Sequence, residues 1–287
     1  MSENKFGKTS RLSLHTRLEK GKTVVEDLSF TAPYKVMTPF SRKGGGISVM
    51  PLCASAGIME GDRQEFDFAV GEGSDLEYLS QSFDKIHKMK EGSASRHVHA
   101  QVGRNAVFFY YPQPVIPYKD SAFESLMDIH LEDETSRLFL MEIVCCGRSA
   151  SGERFAYRRF ASRVSIYRGD RMIYRDNTCY EPYRMPMEGI GMYEGYTHMA
   201  NLFFTDICNK KETFSDSASV SSEDMKERIW KILEEAPECE GGITRLSQGD
   251  YAVRIFGNRA QKLQEMAEKI RKIFESQSNL AATAGHL

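Results

Sequence analysis

The chain has 287 residues, 41% of them hydrophobic, and a formal net charge of −2. That length supplies a real core, the near-neutral balance offers no basic stripe for nucleic acid, and no apolar run approaches the ~20 residues that span a bilayer. The polar N-terminus, MSENKFGKTSRLSLHTRLEKGK, lacks the apolar centre of a signal peptide, so a soluble, cytoplasmic protein is expected. Cys53, Cys145, Cys146, Cys179, Cys208 and Cys239 are scattered without a C-x-x-C, which predicts reduced thiols rather than a disulfide framework or a zinc clamp.

The first two-thirds of the chain reads as β. KGKTV (20–24) contains G-K-T, but a phosphate loop needs a glycine where Thr16 stands and a helix after it, so no nucleotide site is expected. RKGGGIS (42–48) reads as a turn rather than a dinucleotide fingerprint. EFDFAV (65–70) alternates, with Phe66, Phe68 and Val70 on one face. HVHAQV (97–102) alternates too, with Val98, Ala100 and Val102 on one face and His97, His99 and Gln101 on the other. RLFLMEIVCC (137–146) is apolar except for Glu142. RVSIYRGDRMIYRDN (163–177) predicts a hairpin turned at Gly169-Asp170. Four turn markers, Gly71, Gly103, Asp133 and Gly169, each follow one strand and precede another, at spacings of 32, 30 and 36 residues. Periods in that range predict stacked β units in a layered, β-helix-like body.

The end of the chain changes character. After a polar segment (209–224), Met225, Ile229, Ile232, Leu233 and Ala236 fall at helical spacing, with Ser221 and Asp224 as a capping pair. EGGITRL (240–246) reads as a turn, YAVRIFG (251–257) as a strand, and Asn258 as the cap of a second helix carrying Leu263, Met266, Ile270, Ile273 and Phe274. The expected organisation is one unit over 1–287: β-rich over 24–208, closed by helix, strand and helix over 221–275, with a frayed tail over 276–287.

Chemistry is sparse. No H-E-x-x-H or G-x-S-x-G is present. His97 and His99 share one strand face and are candidate metal ligands. A catalytic zinc needs a third protein ligand, from His87, His130, His198 or a carboxylate. A β-layered metal enzyme built on this pair is one reading; two solvent-facing histidines on a half-buried strand is the better supported one. Glu142 interrupts an apolar strand, and a lone buried carboxylate is costly unless paired, with Arg148 or Arg154 as candidate partners.

Several stretches together resemble the UreD/UreH family of urease accessory proteins: FTAPYKVMTPF (30–40), LCASAGIMEGDRQEFDFAVGEGSDL (52–76), SQSFDKIHK (80–88), PQPVIPYKDSAF (112–123) and EIVCCGRSASGERFAYRRFASRVSIY (142–167). Within them stand Ser55, Gly57, Gly61 and Asp62, then Lys85, then Gly147, Arg148, Glu153, Arg154 and Phe155. The resemblance implies a mainly β fold with two C-terminal helices, and no enzyme. It implies a scaffold that binds UreF, recruits the GTPase UreG through it, and docks on apo-urease, with neither nucleic acid nor membrane as partner. Nickel would be cargo in transit rather than a resident cofactor. A cation moving through protein needs donors in place of its hydration shell, so Asp62, Ser82, Lys85, Glu142, Arg148, Glu153 and Arg154 are the candidate lining of an internal polar path. A scaffold without metal passage is the remaining alternative.

Overall fold

The computed structural model describes residues 9–206 and 222–284, the side chains of 222–224 and 277–284 excepted. The chain opens with a hairpin, β1 (Thr9–Glu19) and β2 (Lys22–Phe30), followed by short strands β3 (Tyr34–Lys35), β4 (Phe40–Ser41), β5 (Ile47–Val49) and β6 (Leu52–Cys53). Three coils follow. The first holds β7 (Arg63–Val70), β8 (Asp75–Leu79) and β9 (Asp84–Ile86). The second holds β10 (Ala94–Val102), β11 (Val107–Tyr111) and β12 (Val115–Pro117). The third holds β13 (Ala122–Leu131) and β14 (Arg137–Cys145). The hairpin β15 (Arg159–Arg168) and β16 (Arg171–Tyr180) comes next, then β17 (His198–Phe204), α1 (Ser222–Glu234), β18 (Cys239–Arg245), β19 (Tyr251–Gly257) and α2 (Ala260–Ala284).

Each coil gives one strand to the first sheet and one to the spine of the second, while β9 and β12 pair beside that spine. The first sheet runs β16-β15-β13-β10-β7-β1-β2, and the spine of the second runs β18-β19-β17-β14-β11-β8-β5-β4. Within the stack the pairing is parallel and in register: β7 with β10, β10 with β13, β8 with β11, β11 with β14. The mainly β, layered expectation therefore holds, and the turn period is its cause. One marker differs. Gly71, Gly103 and Asp133 carry the chain from one sheet to the other, whereas Gly169 turns a hairpin inside the first sheet, as its Gly-Asp pair predicts.

The turns stack as the strands do. Gly71 N–H donates to the Thr16 carbonyl, Gly103 to Val70, Glu132 to Val102 and Gly169 to Leu131. A Cβ at Gly71 would lie 2.4 Å from the Thr16 carbonyl oxygen, which is backbone and cannot swing aside. Gly71→Ala is expected to cost about 1–3 kcal/mol through this overlap, read as a lower urea midpoint with an unchanged slope.

Alternation sends Leu12, Leu14, Phe66, Phe68, Val98, Ala100 and Ile129 from the first sheet into one core with Leu76, Phe108, Tyr110, Leu138 and Leu140 of the second. The second sheet's other face carries Phe109, Phe139, Met141 and Ile143, which α1 and α2 cover with Met225, Ile229, Leu263, Ile270 and Phe274. An ion-pair cluster fixes α2 there: Arg271 reaches Glu77 at 2.6 Å and Glu275 at 3.1 Å, and Arg42 reaches Glu275 at 2.8 Å.

Four expectations at this end are corrected or fall outside the described residues. EGGITRL is strand β18, not a turn: Gly241 packs against the β19 backbone, where a Cβ would sit 3.0 Å from the Arg254 carbonyl oxygen, so its glycine serves close approach. Asn258 does not cap α2; its amide oxygen accepts from Thr197 Oγ1 at 3.3 Å, while the Arg259 carbonyl takes the first helical N–H groups. The second helix continues to Ala284. The Ser221 and Asp224 capping pair lies outside the described residues and side chains.

Candidate functional site

A pocket of about 420 Å³ opens at one end of the stack, lined among others by Cys53, Asp62, Gln64, Ser82, Asp84 and Lys85. Three of the expected path residues, Asp62, Ser82 and Lys85, thus meet at one opening. Asp62 also fixes its own turn, since Oδ2 accepts from the Met59 N–H at 2.7 Å. Behind the pocket lies a cavity of about 20 Å³, room for a water molecule. It shares Cys53, Ser82 and Asp84 with the outer pocket and reaches inward to Tyr34, Tyr78 and Arg96.

Arg96 stands where alternation along β10 places an inward side chain, between Ala94 and Val98. It is 7% exposed. Its Nη2 meets Asp84 Oδ2 at 2.7 Å and its Nε donates to Gln64 Oε1 at 2.9 Å. Burial works against the guanidinium charge, but the Asp84 carboxylate overcomes it and holds Arg96 more firmly protonated than usual. Burial raises the nearby Tyr34, Tyr78 and Tyr110 hydroxyls well above their ordinary range, so they stay neutral.

Glu142 points from β14 to the same side as Leu138 and Leu140, into the space between the sheets, and keeps partial solvent access there. Ser162 Oγ of β15, in the facing sheet, donates to Glu142 Oε2 at 3.4 Å. Burial pushes the carboxyl up to about 7; the Asp176 charge adds to this and Arg96 opposes it. Neither expected partner reaches it. The chain leaves β14 through Gly147 at φ +133°, which carries Arg148 and Arg154 away. Arg148 Nε instead donates to Glu153 Oε2 at 2.9 Å, with its guanidinium 4.3 Å from the centre of the Tyr118 ring. Arg154 meets Glu188 at 2.8 Å. Arg148, Glu153 and Arg154 therefore form ion pairs near the surface, and hydrogen bonding from Arg148 holds the Glu153 carboxyl below its usual range.

Beyond Glu142 the polar groups continue. Asp176 of β16 accepts from Arg254 Nη2 at 3.3 Å, and Arg254 Nε donates to Asn201 Oδ1 at 2.8 Å. Arg254 borders a second opening, of about 230 Å³, with Tyr193, Tyr196 and Glu240. Asp62 and Asp84 line the first opening, Glu142 lies between the sheets, and Asp176 pairs with Arg254, which borders the second. Each offers hard oxygen donors of the kind a hydrated divalent cation accepts.

The histidines lie elsewhere. His97 Nε2 is 3.2 Å from Asp128 Oδ2, and His99 Nε2 is 3.4 Å from Gln101 Nε2, both on the outer face of the first sheet. Of the expected third ligands, the Asp128 carboxylate meets His97 and His130 lies near His99, their ring centres 5.6 Å apart. His87 Nε2 donates to the Ala56 carbonyl at 3.0 Å, and His198 is held by Thr197, its pKa pushed down to about 4 by burial. Among the described residues no group of three or more His, Cys, Asp or Glu side chains could hold a metal ion.

Sequence reasoning missed Asp84, Arg96, Ser162 and Asp176. Arg96 had a signal: it continues the apolar face of Val98 and Ala100, one residue before the histidines. Ser162 and Asp176 had none, because each matters only through the sheet that faces it.

Fold and site together define a class: a coil-stacked double-sheet β protein whose two sheets enclose acidic groups open to water. A family model described as UreD urease accessory protein matches residues 8–284. The urease accessory protein UreD of Acetivibrio thermocellus is 34% identical over 272 residues, covering 94% of this chain and 99% of that protein. UreH of Helicobacter pylori strain P12 is 32% identical over 270 residues, with 94% and 96% covered. UreD of Actinobacillus pleuropneumoniae is 28% identical over 276 residues. The chain belongs to the UreD urease accessory protein family.

Proposed function

We propose that this chain, whose family role lies in urease maturation, is a non-catalytic scaffold through which nickel reaches apo-urease, in a complex with UreF and, through UreF, the GTPase UreG. The observation that carries the reading is Glu142: an interior carboxylate with partial solvent access and no ion-pair partner among the described residues. A structural carboxylate would be expected to have a cation beside it. One whose proton leaves near neutrality exchanges it for a passing cation and recovers it afterwards, which suits transit better than storage.

Exposed apolar side chains support the partner side of the reading. Ile190 is 97% exposed, Tyr183 66% and Phe40 59%. Large apolar side chains this exposed gain stability when a partner surface takes them out of water. The test is co-production. Soluble yield should rise severalfold with UreF present, the two should co-purify, and the chain free of partners should turn over neither GTP nor urea. Yield indifferent to UreF, or GTP turnover by the chain alone, would overturn the proposal.

A further inference from the structure

One row of the second sheet starts in the interior and ends at water. Strand register sets Glu142 of β14 opposite Asn201 of β17, Asn201 opposite Arg254 of β19, and Arg254 opposite Gly242 of β18. The neighbouring residues Ile143, Val253 and Ile243 pack with the helices, so these four face the first sheet. The row reads carboxylate, amide, guanidinium, glycine. It finishes at the second opening, whose lining includes Arg254, Gly242 and Glu240.

Arg254 thus stands between Glu142 and that opening. Its Nε donates to Asn201 Oδ1 at 2.8 Å, on its own sheet. Its Nη2 donates to Asp176 Oδ1 at 3.3 Å, on β16 of the facing sheet. One side chain therefore ties the two sheets together at the mouth. The tie is light, since the Asp176 contact is long and the Arg254 side chain is 49% exposed; pairs of this kind contribute little. The side chain also has somewhere to go. A Cβ at Gly242 would meet nothing within 4 Å. Glu240 lies two residues along β18 on the same face, diagonal to Arg254. Diagonal neighbours stand roughly 7–8 Å apart, within reach of a long side chain.

We propose that Arg254 gates the second opening: held by Asp176 and Asn201 it closes the space between the sheets, and it opens that space by swinging over Gly242 to Glu240. Closed, the guanidinium repels small cations at the mouth and neutralises Asp176, a carboxylate close enough to act on Glu142. Open, it leaves the Asp176 carboxylate facing an unobstructed mouth. The use of the gate rests on the interior path proposed above; the movement does not.

The test reads access to the interior with a thiol. Ser162, whose Oγ meets Glu142 at 3.4 Å, is replaced in the full chain by the near-isosteric Ser162→Cys, which leaves Glu142 in place. Methanethiosulfonates bearing either an ammonium or a sulfonate group are added, and modification is located by peptide mass. Cys179, exposed on the other face of β16, gives the reference rate. Arg254→Gln should raise the rate of the ammonium reagent at position 162 about tenfold, more than that of the sulfonate, with Cys179 unchanged. Arg254→Ala should match it. Glu240→Gln should slow both reagents at position 162, because the open position loses its partner. Equal rates with and without Arg254 would overturn the gate, and equal rates in parent and Glu240→Gln would overturn the swing. Metal analysis of urease from the same cells separates gate from path: faster labelling in Arg254→Gln with normally loaded urease would uphold the gate and remove nickel passage from it.

Discussion

Glu142→Gln is expected to leave the chain folded and bound to UreF, to stabilise it above neutral pH, and to lower the nickel content of urease recovered from the same cells. The stability half follows from the carboxyl alone. Folded, it keeps its proton up to about 7, against an ordinary value of 4.5. Between those values the folded state binds more protons than the unfolded one, so stability falls as pH rises through the window, and the full cost is present above it. Glutamine removes the charge and retains the hydrogen bond to Ser162. The gain should be on the order of 2–3 kcal/mol near pH 8 and should vanish near pH 4. The delivery half follows from the absence of a cationic partner. A buried ion pair would have made Gln destructive, whereas no arginine is stranded here. Paired denaturant melts at the two pH values test the first half. Co-purification with UreF and metal analysis of urease test the second. A stable variant, normal complex and fully loaded urease would leave a scaffold without metal passage as the better account.

Asp84→Asn is expected to do the opposite and destabilise strongly. Arg96 is 7% exposed and cannot shed its proton, so neutralising Asp84 strands a buried cation at a cost of about 3–5 kcal/mol. Arg96→Met should cost less, because Asp84 is 23% exposed, lines the open pocket and can rehydrate. Urea midpoints should therefore rank parent, Arg96→Met, Asp84→Asn from highest to lowest. An Asp84→Asn midpoint equal to that of the parent would show that water, not the carboxylate, compensates Arg96.

Much of the stack was legible because its cause is local. Alternation along 65–70 and 97–102, the Gly169-Asp170 hairpin and the turn period are written within a few residues each, and they appear as read, save that Gly169 turns within one sheet instead of between the two. The helices were legible through the stripe that α2 presents to Phe139 and Phe204. What failed depends on a distant neighbour. The glycines of 240–246 signal a turn unless a strand such as β19 requires close approach. Arg148 and Arg154 are near Glu142 in sequence, but a turn at Gly147 separates them from it. Asp62, Ser82 and Lys85 were placed together by resemblance, and the structure brings them to one pocket. The Asp84–Arg96 pair behind them joins two coils, and only the stacking of those coils reveals it.

That stacking also sets the order in which the chain can become a protein. A strand in a parallel stack has no partner within its own coil. β7 waits for β10, β10 for β13, and β1, although paired with β2, has its parallel neighbour only at Arg63–Val70. Each coil is a loop of about thirty residues, which a ribosome needs roughly 2–6 seconds to supply at ~5–20 residues per second. Throughout that interval the newest coil shows an unpaired edge and an apolar face to solvent or to a sister chain. The strands β18 and β19 and the helices that cover Phe139 are made after all three coils, so the second sheet is capped only after the stack itself has been made. Such high contact order makes for slow folding and an aggregation-prone nascent state. Expression temperature and translation rate should therefore govern the yield of this chain as strongly as the stability of its finished form.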